Sequence, residues 1–290
     1  MSDQAWPRVG VILPTRDAGP AFPALLEALG RQDLSLAARL VVDTSSTDGT
    51  AGRAAAAGWD VLSILPQSFG HGRTRQQALA YLIRSQALDI VIYLTQDVVI
   101  EDDTALSRLV LPLWQDAAAG ASYGRQLPHH GASDGAALLR MANYPPESRR
   151  KTLADRAVMG IRAPFLSDSF AAYRVDVLQA VGGFPDVAIC EDMAVGARML
   201  KAGFAIRYEA DACVRHSHEM TLADTWRRYH AIGRFHRQHA WILETFGRAE
   251  GAGLGLLRMQ MHTAWDHRSP LLALRFLAED AVKYLAYRVH

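Results

Sequence analysis

An α/β fold, with a parallel sheet covered by helices and a helical tail, is predicted by three features of the sequence. From Val9 to Tyr123, short β-branched and aliphatic runs alternate with Ala/Leu-rich segments of helical spacing. Each run ends in a polar or glycine-containing turn, and from Thr221 onward the pattern is helical throughout.

The runs VGVIL, RLVVD, DVLSIL and DIVIYL read as buried strands, followed by the turns PTRDAGP, TSSTDG, QSFGHG and TQDVV. In open α/β sheets ligands bind beyond the carboxyl ends of the strands, so these turns are the first place to look for chemistry. Between Gly124 and Pro164, PHHGASDG and YPPES interrupt any long periodicity and predict a loop-rich segment with one short helix, shaping a substrate cleft. FLSDSFAAYR then reads as extended, VDVLQAVGGF and EDMAVGARMLKAGF as helices, and IRYEADACVRHSH as a strand. In the tail, Trp226, Tyr229, Ile232 and Phe235 recur every third residue, and Leu274, Leu277, Ala281 and Leu285 share a face. The expected organisation is two halves of one α/β domain, residues 1–125 and 126–220, and a helical extension over 221–290.

Composition narrows the function classes. Of 290 residues half are hydrophobic, enough for a sizeable core, and 31 basic residues nearly cancel 30 acidic ones. No overall charge draws the chain to nucleic acid, and none is expected as a partner. Two cysteines, Cys190 and Cys213, are too few for a disulfide framework, and MSDQAWPRVG lacks the pattern of a secretory leader, so a reducing cytoplasm is the expected compartment. No stretch reaches the roughly 18 to 20 apolar residues of a membrane-spanning helix. The tail, with Trp226, Arg227, Arg228, Phe235 and Trp241, is open to two readings: peripheral contact with the inner face of a membrane, or a packing helix that closes the acceptor side or makes a dimer contact.

Four segments carry candidate chemistry. In VVDTSSTDGT, Asp43 ends a strand where a carboxylate can accept hydrogen bonds from a base or ribose, or can simply shape the turn, while Asp48 reads as a helix cap. The strand DIVIYL delivers Asp97 to its edge, where a hard carboxylate oxygen suits Mg2+ or Mn2+ bridging a diphosphate; Glu101, Asp102 and Asp103 read as a solvated helix start. SFGHGRTRQQAL offers glycine amides and Arg75 to a diphosphate at a helix start, though Arg73 and Arg75 equally suit a surface. In AICEDMAVGARMLKAG the adjacent Glu191 and Asp192 open a helix: two neighbouring carboxylates point in different directions, so one can orient the loop while the other acts as a base, although a dipole-stabilised acid pair is the plainer reading. Lastly, VRHSH sets His216 and His218 on one face of a strand, either able to complete a metal's coordination.

Taken together, ILPTRDAG, VVDTSSTDGT, FGHGRTR, YLTQD, YGRQLP, NYP, SFAAYR, VGGF, CEDM and HSH, in that order and followed by WRRYHAIGRF, resemble the inverting glycosyltransferases of family 2, in particular the bacterial rhamnosyltransferase-like branch. That resemblance implies a GT-A fold, a Rossmann-like mixed but mainly parallel sheet. It implies that Pro14, Thr15, Arg16 and Gln96 line the nucleotide pocket, that Asp43 reads the base, and that Arg75 lies near the diphosphate. TQD stands where the family has its DxD element, with Thr95 in place of the first acid, so Asp97 becomes the principal ligand of Mg2+ or Mn2+. His216 becomes the later metal ligand, with His218 second; Asp192 becomes the general base beside Glu191; Arg125 and Gln126 meet the donor or acceptor sugar. The implied reaction moves a sugar from a nucleoside diphosphate donor, dTDP-rhamnose or a UDP- or GDP-sugar, to a hydroxyl of a glycan or lipid-linked saccharide in cell-surface polysaccharide synthesis. Two rivals stand beside it: a sugar nucleotidyltransferase, for which PTRDAGP is a poor phosphate loop, and a degenerate sugar-nucleotide-binding module, against which the intact Glu191–Asp192 pair speaks.

Overall fold

The computed structural model describes residues 6–247 and 250–289, with side chains described for all of these except 250–254. Residues 1–5, part of the segment read as lacking a leader, lie outside the described residues.

The first half alternates as its periodicity predicts: β1 (Val9–Thr15), α1 (Phe22–Gly30), β2 (Leu36–Asp43), α2 (Thr50–Ala56), β3 (Asp60–Ser63), α3 (His71–Ser85), β4 (Ile90–Leu94) and α4 (Ala105–Gln115). Strands β3, β2, β1 and β4 lie side by side and parallel. Because successive side chains of a strand point to opposite faces, Val9, Val11 and Leu13 pack with Leu25, Leu29 and Leu109 on one side of the sheet, and Ile12 packs with Leu79 and Leu82 on the other. A strand buried on both faces must read as a continuous apolar run, which is why β1 and β4 and the end of β2 are visible in the sequence, while β3, at the sheet edge, is only half-buried.

The second half contains more regular structure than its sequence predicts. After α4 come β5 (Ala119–Leu127), α5 (Asp134–Asn143), β6 (Arg149–Lys151), α6 (Arg156–Met159), β7 (Phe170–Arg174), α7 (Val175–Ala180), α8 (Glu191–Lys201) and β8 (Ala205–Arg215). The segment expected to be loops with one short helix therefore holds the end of β5, α5, the edge strand β6 and α6. Strand β5, AGASYGRQL, escapes a propensity reading because small residues replace β-branched ones. One reason is local: a Cβ on Gly124 would stand 2.3 Å from the Phe170 ring and 2.5 Å from the Ala212 carbonyl. The eight-stranded sheet runs β3-β2-β1-β4-β7-β5-β8-β6, with β7 antiparallel to β4 and β5, and β6 antiparallel to β8. It is mixed and mainly parallel, flanked by helices, and it continues unbroken through both expected halves.

Beyond β8 the chain is helical: α9 (Leu222–Gln238), α10 (Ala240–Phe246), α11 (Glu250–Asp266) and α12 (Pro270–Arg288). Helix α9 opens with a capping box, in which the Thr221 hydroxyl accepts from the Asp224 amide at 3.1 Å and the Asp224 carboxylate accepts from Thr221. Phe235, 2% exposed, joins the main core, and Trp241 lies beneath the Lys201 ammonium at 4.9 Å. The tail residues expected to share a membrane-facing surface are thus divided between core and surface, because α9 packs along α12. No helix among the described residues is long and apolar enough to cross a membrane.

Candidate active site

The first centre is built where β4 ends beside β8. Past β4 the chain pairs back through an antiparallel bridge, the Val99 amide donating to the Arg215 carbonyl at 2.9 Å and the Arg215 amide returning the bond at 2.8 Å. The His216 amide is tied in turn to the Leu127 carbonyl of β5 at 2.8 Å. These backbone bonds bring TQD against HSH: Asp97 Oδ2 lies 3.4 Å from His216 Nε2 and 3.6 Å from His218 Nε2. One ligand atom from each of the three residues falls within 4.8 Å of the others. Burial alone would penalise the Asp97 charge, but hydrogen bonding and positive charge at His216 outweigh it and hold the carboxyl well below its ordinary range.

The histidine tautomer is set from behind. Gln126, 1% exposed, offers Oε1 to His216 Nδ1 at 2.8 Å and to Arg140 Nη1 at 2.6 Å, while its Nε2 donates to Ser167 Oγ at 2.9 Å. An oxygen that already accepts from a guanidinium must receive the Nδ1 proton of His216, so Nε2, which faces Asp97, is the nitrogen left to exchange its proton for a metal. One hard oxygen and two imidazole nitrogens, with an outer residue fixing the tautomer, fit a divalent cation.

The second centre is a buried ionic cluster. Arg75, 4% exposed, sits with Nε 2.9 Å from Asp168 Oδ2 and Nη1 3.0 Å from Glu191 Oε1. The first contact is ionic rather than a well-directed hydrogen bond, since neither atom has a hydrogen-bond partner. Tyr173 donates its hydroxyl to Asp168 Oδ1. Asp192 has no ion pair among the described residues: its Oδ1 accepts from the Met193 amide at 2.7 Å, and its Oδ2 from the Asp168 amide at 3.4 Å. Burial, then the charges of Glu191 and Asp168, push its carboxyl well above the usual range. Three carboxylates around one arginine favour retention of a proton, and the member without a cation is where it rests most easily.

Ser167 and Asp168 link the two centres: the hydroxyl of one holds Gln126 behind His216, and the amide of the next reaches Asp192. Beside His218, an open cavity of about 460 Å³ is lined by Ile189, Glu219, Met220, Asp224, Arg227 and Arg228. Arg228 has no ion pair among the described residues and acts electrostatically on His218, Arg140 and Tyr144.

Comparison with known proteins supplies the family. The model of glycosyl transferase family 2 matches residues 10–182. The chain belongs to glycosyl transferase family 2. A second model, glycosyl transferase family group 2, matches residues 151–278. Among curated relatives, the O-antigen chain rhamnosyltransferase WbaN of Salmonella anatum is 38% identical over 285 residues, 98% of this chain and 89% of that protein. The O-antigen chain rhamnosyltransferase RfbN of Salmonella typhimurium is 35% identical over 284 residues, 97% and 89% of the two chains. A mannosyltransferase from Pyrobaculum calidifontis, solved with GDP-Man and Mn2+, shares the fold at a TM-score of 0.64 and 19% identity, over 97% of this chain and 86% of that one. The protein is a glycosyltransferase of GT-A fold, and the nucleotidyltransferase reading is not favoured.

In this family 2 transferase several residues stand elsewhere than their motifs suggest. Arg75 is corrected from a diphosphate ligand to a structural cation, because helical spacing turns Gly72, Arg75 and Leu79 inward. The glycine of FGHGRTR serves close packing, since a Cβ on Gly72 would stand 1.8 Å from the Pro185 carbonyl oxygen, and Arg73 pairs with Asp186 at 2.6 Å. Gln126 is corrected from a sugar contact to the support of His216, every polar atom of its amide being engaged. Arg125 donates from Nε to the Tyr144 carbonyl at 3.3 Å. Asp43, 2% exposed, accepts from Thr15 Oγ1 at 3.0 Å and from the Ser46 amide at 2.9 Å, so it shapes the turn, and a base would have to share those oxygens. Gln96 joins the loops after β1 and β4, accepting from the Arg16 amide at 2.7 Å and donating to its carbonyl at 3.0 Å, beside half-buried Pro14 and buried Thr15. Asp48 accepts from the Thr50 amide at 2.9 Å and Asp102 from the Thr104 amide at 2.8 Å, as turn and helix-start acids do. Sequence reasoning missed Arg140, Ser167 and Asp168, whose only signal is position in three dimensions.

Proposed function

We propose that this transferase moves L-rhamnose, with inversion, from a nucleoside diphosphate donor to a hydroxyl of a growing O-antigen-type polysaccharide carried on a lipid. The reading of sugar and acceptor is supported by the relatives that span nearly the whole chain. What carries the chemistry is the linkage of the Asp97–His216–His218 cluster to Asp192 through Gln126, Ser167 and Asp168.

A divalent cation held by Asp97, His216 and His218 would supply neutralisation of the departing diphosphate. The nitrogen-containing ligand set favours Mn2+ over Mg2+, which prefers oxygen-only coordination. Asp192, in its ionised form, accepts the proton of the acceptor hydroxyl as that oxygen attacks the anomeric carbon from the face opposite the diphosphate and the bond to the diphosphate breaks. A carboxylate with a raised pKa suits this task, because it holds the proton it takes. Glu191 keeps Arg75 in place and adds the negative charge that raises Asp192. Arg16, Thr15 and Gln96 form the rim over which the nucleotide lies, and Arg228 faces the same crevice as an unpaired cation.

The test is Asp192→Asn assayed with dTDP-rhamnose, UDP- and GDP-sugars and Mn2+. Transfer should fall by about a hundredfold or more while nucleotide binding stays within a factor of two or three. Near wild-type turnover by the variant would refute the assignment of the base, and release of pyrophosphate by the wild type would refute the reaction class.

A further inference from the structure

We infer that Arg140 and Arg228 form a guanidinium pair that takes the terminal phosphate of the donor's diphosphate and is matched to the charge of that group after it departs. The inference rests on the transfer reading given above. Arg140 projects from α5 and Arg228 from α9, and neither forms an ion pair among the described residues. Arg140 donates from Nη1 to the amide oxygen of Gln126 at 2.6 Å and holds its guanidinium carbon 5.6 Å from the centre of the Tyr144 ring, and both partners are neutral. Arg228 lines the cavity beside His218. The two acids of that cavity are turned to other partners: Asp224 pairs with Arg227 at 2.5 Å, and Glu219 accepts from the Ser133 amide at 2.8 Å and from its hydroxyl at 2.7 Å.

The two side chains converge on one place. Arg140 and Arg228 repel each other, and both act on His218, in the metal centre, and on Tyr144. Tyr144 feels Asp192 as well, and Arg228 also acts on Cys190, which directly precedes Glu191 and Asp192. The pair is therefore within electrostatic reach of both the cation-binding cluster and the base. Like charges held together in a partly desolvated place cost folding free energy unless an anion joins them. Arg75 shows how the same fold neutralises a guanidinium of structural use, with Asp168 at 2.9 Å and Glu191 at 3.0 Å. Arg140 and Arg228 lack such partners, as expected of a site whose anion arrives with the ligand.

Charge counting says which anion. A diphosphate esterified at both ends carries about two negative charges, and about three once the sugar has left, because a terminal phosphate is nearly doubly ionised at neutral pH. A divalent cation on one carboxylate and two neutral imidazoles would leave a single net positive charge, and the two guanidiniums bring the total to about three. The residues are thus balanced for the departing nucleoside diphosphate and over-positive for the intact donor. Interactions that strengthen toward the transition state raise the rate of the chemical step. As the bond from the anomeric carbon to the phosphate oxygen breaks, its electron pair stays on that oxygen and the guanidiniums meet the charge; the acceptor oxygen forms the new bond and its proton passes to Asp192.

The test is equilibrium titration of the full chain with dTDP, UDP and GDP, and with the monophosphate and the sugar ester of whichever binds best, in Mn2+ and in EDTA. Arg228→Ala should weaken the nucleoside diphosphate by about tenfold or more, its sugar ester by about threefold and the monophosphate not at all, with an unchanged melting temperature. The ordering should persist in EDTA, because the guanidiniums act without the metal, and Arg228→Lys should recover part of the loss. Arg140→Gln, which can still donate to Gln126, should repeat the ordering. In turnover, Arg228→Ala should lower kcat more than it raises the donor KM. Equal losses for diphosphate and monophosphate, or a variant of either arginine that binds all three ligands like the wild type, would overturn the inference and leave the transfer reading standing. A wild type that binds none of the three diphosphates in Mn2+ would remove both. Should Arg140→Gln melt early, the Arg228 variants decide alone.

Discussion

His216 presents Nε2 to Asp97 because Gln126 holds its other nitrogen, and Gln126 is in turn fixed by Arg140 and Ser167. Such outer partners set ligand orientation and basicity, so Gln126→Leu should weaken Mn2+ binding by about 10- to 100-fold, read by calorimetric titration, and should also lower the melting temperature of the metal-free protein, because half-buried Arg140 loses its acceptor. Asp192 offers a complementary experiment in pH. It acts as a base only when ionised, and Glu191 is the largest neighbouring charge raising its pKa. Glu191→Gln should therefore move the acidic limb of the kcat/KM profile to lower pH. An unmoved limb would mean that another group controls it.

Helix α3 shows an element doing different work from the one its motif announces. Its Gly72 lets the chain around Pro185 approach closely, and its inward arginine neutralises Asp168 from the loop before β7 and Glu191 from α8. Removing one partner of a buried ionic set leaves uncompensated charge. Arg75→Ala should accordingly cost about 3–5 kcal/mol in urea unfolding, far more than loss of any exposed pair, and the loss should shrink at acid pH as the stranded carboxylates protonate. A diphosphate-binding arginine would give the reverse pattern, a small stability change and weakened nucleotide affinity.

On the scale of the whole molecule, the two centres draw on interleaved stretches of the α/β region and meet where β7 enters the sheet antiparallel between β4 and β5. Residues 167–168, just before β7, then lie between Gln126 and Asp192. Donor nucleotide should bind across this joint and stabilise the entire sheet. With dTDP or dTDP-rhamnose and Mn2+ at about 100 times the Kd, the gain should be roughly 2.7 kcal/mol, seen as a raised melting temperature that EDTA or Asp97→Ala abolishes.

The four parallel strands, the helices after them and the acid pair opening α8 are legible in the linear sequence, through apolar runs, helical spacing and the helix dipole. The strand expected over VRHSH stops at Arg215, so His216 and His218 meet Asp97 from irregular chain beyond β8 and not by strand alternation. The small-residue strand β5, the inward turn of Arg75 and the support of His216 by Gln126 were decided only by tertiary structure. A glycine that admits a neighbouring ring, a guanidinium balanced between two carboxylates and an amide behind an imidazole owe their roles to partners 14 to 116 positions away in the chain, which no local pattern records.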